Sequence, residues 1–210
     1  MSSNLDQPNA KGVYKALSSW DGKKCLERWH EGGLLSRKRL SELRFGKKNH
    51  TVLHVAIDQV ELKNFVWLLD KVPMELLETV NGDGKTPMKM IEERMSEITS
   101  EQAMGEDVPD SIVYAAGNQR GRKLTGKERY DLQELGKMKD VLTKTLKMRV
   151  GMSMIALSTE QGSLAGVEMV HKHFPDLFDH MDHHEVLNMV EHADDLGHSH
   201  IAEYIASQVE

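Results

Sequence analysis

One cysteine, Cys25, stands among 210 residues, so no internal disulfide can form and the thiol content fits a reducing compartment. Placed between Lys24 and Leu26, it reads as helix filling and not as a nucleophile. No run of 18 or more apolar residues occurs, so no membrane-spanning helix is expected. The start, Met1-Ser2-Ser3-Asn4-Leu5-Asp6, lacks the charged and apolar regions of a secretory signal, and the expectation is a cytoplasmic protein. The usual signatures of catalysis are missing as well. There is no His-Glu-x-x-His, no paired cysteine ligand and no evident serine, histidine and acid arrangement. Gly82-Asp83-Gly84-Lys85-Thr86 ends in Gly-Lys-Thr but lacks the first glycine of a phosphate-binding loop at its required spacing, so nucleotide binding is not expected.

What the chain does have is blocks of charge. Eleven basic residues face five acidic ones over 1–50, five face thirteen over 51–118, ten face four over 119–149, and one faces eleven over 150–210, which together give the net charge of −6. Such alternation suits the steering of partners along an extended surface. It does not suit nucleic acid, because the acidic blocks repel phosphate.

The chain also repeats itself. Thr51-Val52-Leu53-His54-Val55-Ala56 returns 35 residues later as Thr86-Pro87-Met88-Lys89-Met90-Ile91, with the turn formers Asn81-Gly82-Asp83-Gly84 in front of the second copy. The first copy predicts a helix capped by the Thr51 oxygen, followed by an apolar second helix over Leu62–Leu69, with Phe65, Leu68 and Leu69 in the core and Pro73 as the stop. The second copy predicts a helix with Thr86 as cap and Pro87 at its first position. The pattern resembles the ankyrin repeat, Thr-Pro-Leu-His-x-Ala at a period of about 33 residues. In that resemblance His54 is structural, its imidazole bonding to the backbone of a neighbouring hairpin. Asn81–Gly84 supplies turn residues able to take the positive φ that a hairpin tip demands.

The rest of the chain is weaker in pattern. Gly12–Ser19 and Lys23–Glu31 read as an antiparallel helix pair broken at Asp21-Gly22 and ended by Gly32-Gly33, with a long connection over Leu34–Lys48. Ser96–Tyr130 holds scattered glycines and charges, with one short apolar run at Ser111–Ala116, and reads as an insertion. Asp131–Lys147 reads as the outer helix of the interrupted third unit. Ser153–Ser158, 67 residues beyond Thr86, takes the place of a further Thr-Pro-Leu-His segment. Gly162-Ser163 and Leu164–Val170 supply the next loop and helix. The last unit runs from Val186–Val190 to Gly197-His198-Ser199-His200-Ile201-Ala202-Glu203-Tyr204-Ile205.

Val13–Leu17 with Trp20-Asp21-Gly22, Thr51–Ala56, Phe65–Leu69, Glu75–Glu78 with Asp83–Thr86, and His173-Phe174-Pro175-Asp176-Leu177 are similar to the amino-terminal ankyrin array of plant membrane ankyrin proteins of the accelerated-cell-death group. The carboxy-terminal transmembrane segments of that group have no counterpart here, and the 96–130 insertion is extra. The resemblance implies an all-α ankyrin-repeat solenoid of stacked helix pairs. Its expected organisation is a disordered 1–10, repeats over 11–95, the insertion over 96–130 and repeats over 131–210. It implies a non-catalytic scaffold or adaptor that binds another protein, with no cofactor, through tips and the concave inner-helix face. The residues expected to carry that binding are Lys47, Lys48, Asn49, Asp58, Gln59, Asn81, Asp83 and Glu92.

A second reading comes from histidine. Eight of the 11 lie at His171, His173, His180, His183, His184, His192, His198 and His200, and Asp179–Glu185 carries ligand types suited to a divalent metal. A metal-dependent enzyme would need three such groups on one side with an open position. If 180–185 forms a hairpin tip, neighbouring histidines point apart. Eight imidazoles in an acidic block would also titrate near neutrality.

Overall fold

The computed structural model describes residues 8–19, 21–103, 124–181 and 183–208, the side chains of 101–103 and of residue 180 excepted. The chain is all-α, about 73% helix, with no strand among the described residues. It divides into two compact units, Met1–Leu142 and Thr143–Glu210.

The first unit is built from helix pairs. α1 (Ala10–Leu17) turns back into α2 (Gly22–Glu31), and α4 (Val52–Asp58) turns back into α5 (Leu62–Lys71). Between the pairs lie the short α3 (Arg37–Glu42) and a tip closed by an antiparallel bridge between Phe45 and His50. α6 (Met74–Glu78) leads to a second tip and to α7 (Pro87–Ala103). α1, α4 and α7 pack side by side in chain order, and α2 packs on α5 behind them.

Local chemistry explains these boundaries. Thr51 caps α4 as expected, and a capping box closes with His54 as its second member. α5 carries Phe65, Leu68 and Leu69 fully into the core, each worth about 1.5–3 kcal/mol of burial. It ends before Val72-Pro73, where proline forbids a further turn. α6 went unpredicted because five residues are too few to show a helical period.

α8 (Gly126–Glu160) departs most from expectation, since the helix expected at 131–147 and the repeat expected to begin at Ser153 are one 35-residue helix. Nothing between Lys147 and Ser153 stops it: Met148-Arg149-Val150-Gly151-Met152 contains no proline and one glycine, which costs a helix only about 1 kcal/mol. The boundary between the two units falls within α8. The expected insertion also shrinks at both ends. α7 continues to Ala103 and α8 starts at Gly126, while the Ser111–Ala116 run lies outside the described residues.

In the second unit the carboxy-terminal part of α8 is followed by α9 (Leu164–His173), a 3-10 turn over Phe178–His180, α10 (His183–Asp195) and α11 (Ser199–Ala206). Ser163 caps α9 through its Oγ, and Gly162 before it has φ of 65°. Ile155, Val167, Val170, Phe178, Ile201 and Ile205 lie at the centre of the core. His183–Glu185 forms the first turn of α10 and not part of a tip.

Candidate functional site

Two tips of the first unit lie edge to edge. In the first, Phe45 and His50 exchange backbone bonds of 2.9 Å each, and Gly46 and Asn49 both take positive φ, 63° and 52°, to close the turn. In the second, Asn81 N–H donates to the Lys85 carbonyl at 2.9 Å. The Asn81 Oδ1 accepts from the N–H groups of Asp83 and Lys85 at 2.9 and 3.0 Å. The tips are tied together by Gly82 N–H donating to the Lys48 carbonyl and by an ion pair of 2.9 Å between Lys48 and Asp83. Two different needs make the glycines of the second tip obligatory. Gly84 takes φ of 72°, whereas a Cβ on Gly82 would stand 2.8 Å from the Lys48 oxygen.

His54 joins the second tip to α4. Its Nε2–H donates to the Lys85 carbonyl at 2.8 Å, and its Nδ1 accepts from the Thr51 hydroxyl at 2.8 Å and the Thr51 N–H at 3.3 Å. Burial lowers its pKa to about 4, against the opposing effect of the Lys85 carbonyl. His54 is therefore a neutral structural link, as the repeat pattern implied.

Clefts open on both sides of the first tip. The larger, about 410 Å³, is lined by Lys48, His50, Asp58, Asn81, Asp83, Lys85, Met90, Glu93, Arg94 and Glu97. The smaller, about 180 Å³, lies between the tip and α1 and includes Tyr14, Phe45, Lys47 and Val55. Tyr14 is 42% exposed and leans on Phe45 with ring centroids 6.0 Å apart. Charges in the larger cleft are largely spent on each other. Arg94 holds Asp58 at 3.2 Å and also the Asp58 carbonyl at 2.6 Å, and Lys85 pairs with Glu93. The hydrogen bond from Lys48 holds the Asp83 carboxyl below the usual range, and the one to Glu93 pushes the Lys85 ammonium up.

The eight residues expected to bind a partner separate into three groups. Lys47, Lys48, Asp58 and Asp83 line the clefts. Asn49 and Asn81 hold the turns: Asn49 by its positive φ, and Asn81, which also borders the larger cleft, buried with its Oδ1 committed to backbone. Gln59 and Glu92 line neither cleft. Gln59 follows the last turn of α4 and donates to Asp58, and Glu92 points toward α8, where it pairs with Lys139 at 2.9 Å. Glu93 and Arg94, which do line the cleft, were legible in principle, because an offset of 35 residues carries Asp58 to Glu93 and Gln59 to Arg94. Glu92 is one residue out of that register.

No protein-family model, no characterised protein and no solved structure matches the chain. Its chemistry is read from the residues alone.

The histidine-rich segment forms no group of three or more metal-ligating side chains among the described residues. Asp182 and the side chain of His180 lie outside them. His171 Nδ1 is 2.9 Å from the Tyr204 hydroxyl and its ring meets Phe178 edge-on, while His173 Nδ1 bonds the Met169 carbonyl at 2.8 Å. These are packing and helix contacts. Burial pushes the Tyr204 phenol up, aided by Glu168. Among the described residues no helix is long and apolar enough to cross a membrane.

Proposed function

We propose that this chain is a non-catalytic protein-interaction module of ankyrin-repeat type, a scaffold or adaptor that grips another protein with its hairpin tips and the α1, α4 and α7 face beside them. The observation that supports it is the pair of cross-tied tips standing beside those helices, with open clefts between them lined by polar and charged side chains. A rigid scaffold with the recognition groups already oriented loses little conformational entropy on binding. Internally paired charges set the register of a partner more than they add raw affinity. Two further features agree with a binding surface. Tyr14 offers an aromatic anchor at the rim, and Lys47 stands exposed at the first tip.

Photo-crosslinking groups placed at 47 and at 97 test this reading. They should capture the same protein partner from cell extract, whereas a group at Lys24 on α2 should not. Lys47→Glu with Glu97→Lys should abolish capture at unchanged helicity. Equal capture from all three positions would sink the proposal.

A further inference from the structure

Of the seven asparagines only Asn81 is followed by glycine. In such a dipeptide no side chain shields the glycine nitrogen, so it can attack the asparagine amide and close a cyclic imide. The second tip nonetheless needs both residues. A Cβ on Gly82 would stand 2.8 Å from the Lys48 oxygen, and Asn81 must supply the acceptor for the N–H groups of Asp83 and Lys85. What builds the tip therefore also places a self-reactive pair in it.

The fold holds that reaction off at both partners. The nucleophile is the Gly82 nitrogen stripped of its proton, and that proton is held on the Lys48 carbonyl of the other tip. Ring closure must also draw the Asn81 side chain onto this nitrogen, against the two bonds that hold its Oδ1 at 2.9 and 3.0 Å. Asn81 is only 6% exposed.

We propose that Asn81-Gly82 is a latent modification site, protected while the tips are joined and converted to isoaspartate when they part. The bond from Gly82 N to Asn81 Cγ forms and the Cγ–Nδ2 bond breaks, with ammonia leaving together with the amide proton. Water then opens the imide. Attack at the former main-chain carbonyl leaves isoaspartate, in which the side-chain carbons carry the backbone and a new carboxylate hangs from Cα. The lengthened chain no longer brings the Gly82 N–H onto the Lys48 carbonyl, and the N–H groups of Asp83 and Lys85 lose their common acceptor. Conversion thus keeps the tips from closing again. The inference stands apart from the reading of the tips as a binding surface.

Trypsin releases residues 72–85 as one peptide in which Asn81 is the only asparagine. Its mass reports the amide turned acid. In mildly alkaline buffer the folded full chain should convert at least about tenfold more slowly than the same chain in urea, because three hydrogen bonds must open together. His54→Leu, which unfastens the tip from α4 without touching the reacting pair, should speed conversion of the folded chain at least about fivefold. Lys48→Ala removes the exposed ion pair to Asp83 and should speed it about twofold. Far-UV circular dichroism confirms that each variant is folded. The isoaspartate form, isolated by ion exchange and refolded, should exchange its residue 82 amide faster than the parent at unchanged helicity. A folded chain that converts as fast as the unfolded one, an unfolded chain that does not convert, rates indifferent to both substitutions, or an isoaspartate form with the parent's protection at residue 82 would overturn the proposal.

Discussion

His54 Nε2 lies 2.8 Å from the Lys85 carbonyl oxygen, and this bond fastens the second tip to the helix of the preceding pair. Protonation would put a second N–H on the ring, facing the Thr51 N–H where an acceptor is needed. The folded protein holds the imidazole neutral to about pH 4, while the unfolded chain takes its proton near 6.5. Stability from this site is thus complete above about pH 6.5 and is lost as pH falls toward 4. A loss of about 1–2 kcal/mol between pH 7 and 5 is expected in urea titrations. His54→Leu should cost about 2–3 kcal/mol at pH 7, because it strands buried backbone groups, and should flatten that slope.

Asn64 does comparable work from α5. Its Nδ2 donates to the carbonyls of Leu17 at 3.0 Å and Ser19 at 3.2 Å, tying α5 to the carboxy-terminal end of α1 and the turn that follows it. Asn64→Ala should lower stability by about 2 kcal/mol by chemical denaturation. Asn64→Asp, a carboxylate aimed at carbonyl oxygens, should cost more.

Gly82→Ala tests the contact between the tips. The added Cβ meets the Lys48 carbonyl at 2.8 Å, closer than such contacts tolerate, so the Gly82 N–H bond must lengthen. Faster exchange of the residue 82 amide, at nearly unchanged helix content by circular dichroism, is the expected outcome. Protection equal to that of the parent chain would show the tips to be less tightly joined.

Val60 sets two magnitudes against each other. It is buried at 8% exposure, yet sits at φ of 55°, where a β-branched residue is strained. Relief of about 1–2 kcal/mol of left-handed strain nearly cancels the lost burial of about 1.5–3 kcal/mol. Val60→Gly should therefore change stability by no more than about 1 kcal/mol in thermal melts. Val55→Gly, a buried helical position with no such strain to relieve, should cost over about 2 kcal/mol.

Much of the first unit was legible because its signals are short in range. A cap at Thr51, an apolar stripe through Phe65, Leu68 and Leu69, and a Pro73 stop each act within one or two turns. The tips were legible for the same reason, through their Gly, Asn and Asp content. The roles inside them were not. Asn81 has the look of a recognition residue in a list of polar tip positions, but its amide oxygen is consumed by two backbone N–H groups. Glu92 and Glu93 are adjacent and identical in type, and only packing decides that one pairs with Lys139 across to α8 while the other lines the cleft with Lys85. The charge blocks read as partner-steering faces are in part internal wiring, since Lys48 with Asp83 and Lys139 with Glu92 join blocks of opposite sign.

By itself the amino-acid sequence determined that the protein is helical, where α1, α2, α4 and α5 lie, and that Phe65, Leu68 and Leu69 enter the core, because caps, prolines and helical spacing are local chemistry. Tertiary structure alone decided that α8 runs unbroken through 35 residues, leaving Val150, Met154 and Leu157 on its outer side. It also decided which charges are spent on each other and which remain at the clefts. Those outcomes depend on groups tens of residues apart meeting within a few ångströms, and nothing in the order of the residues states which of them meet.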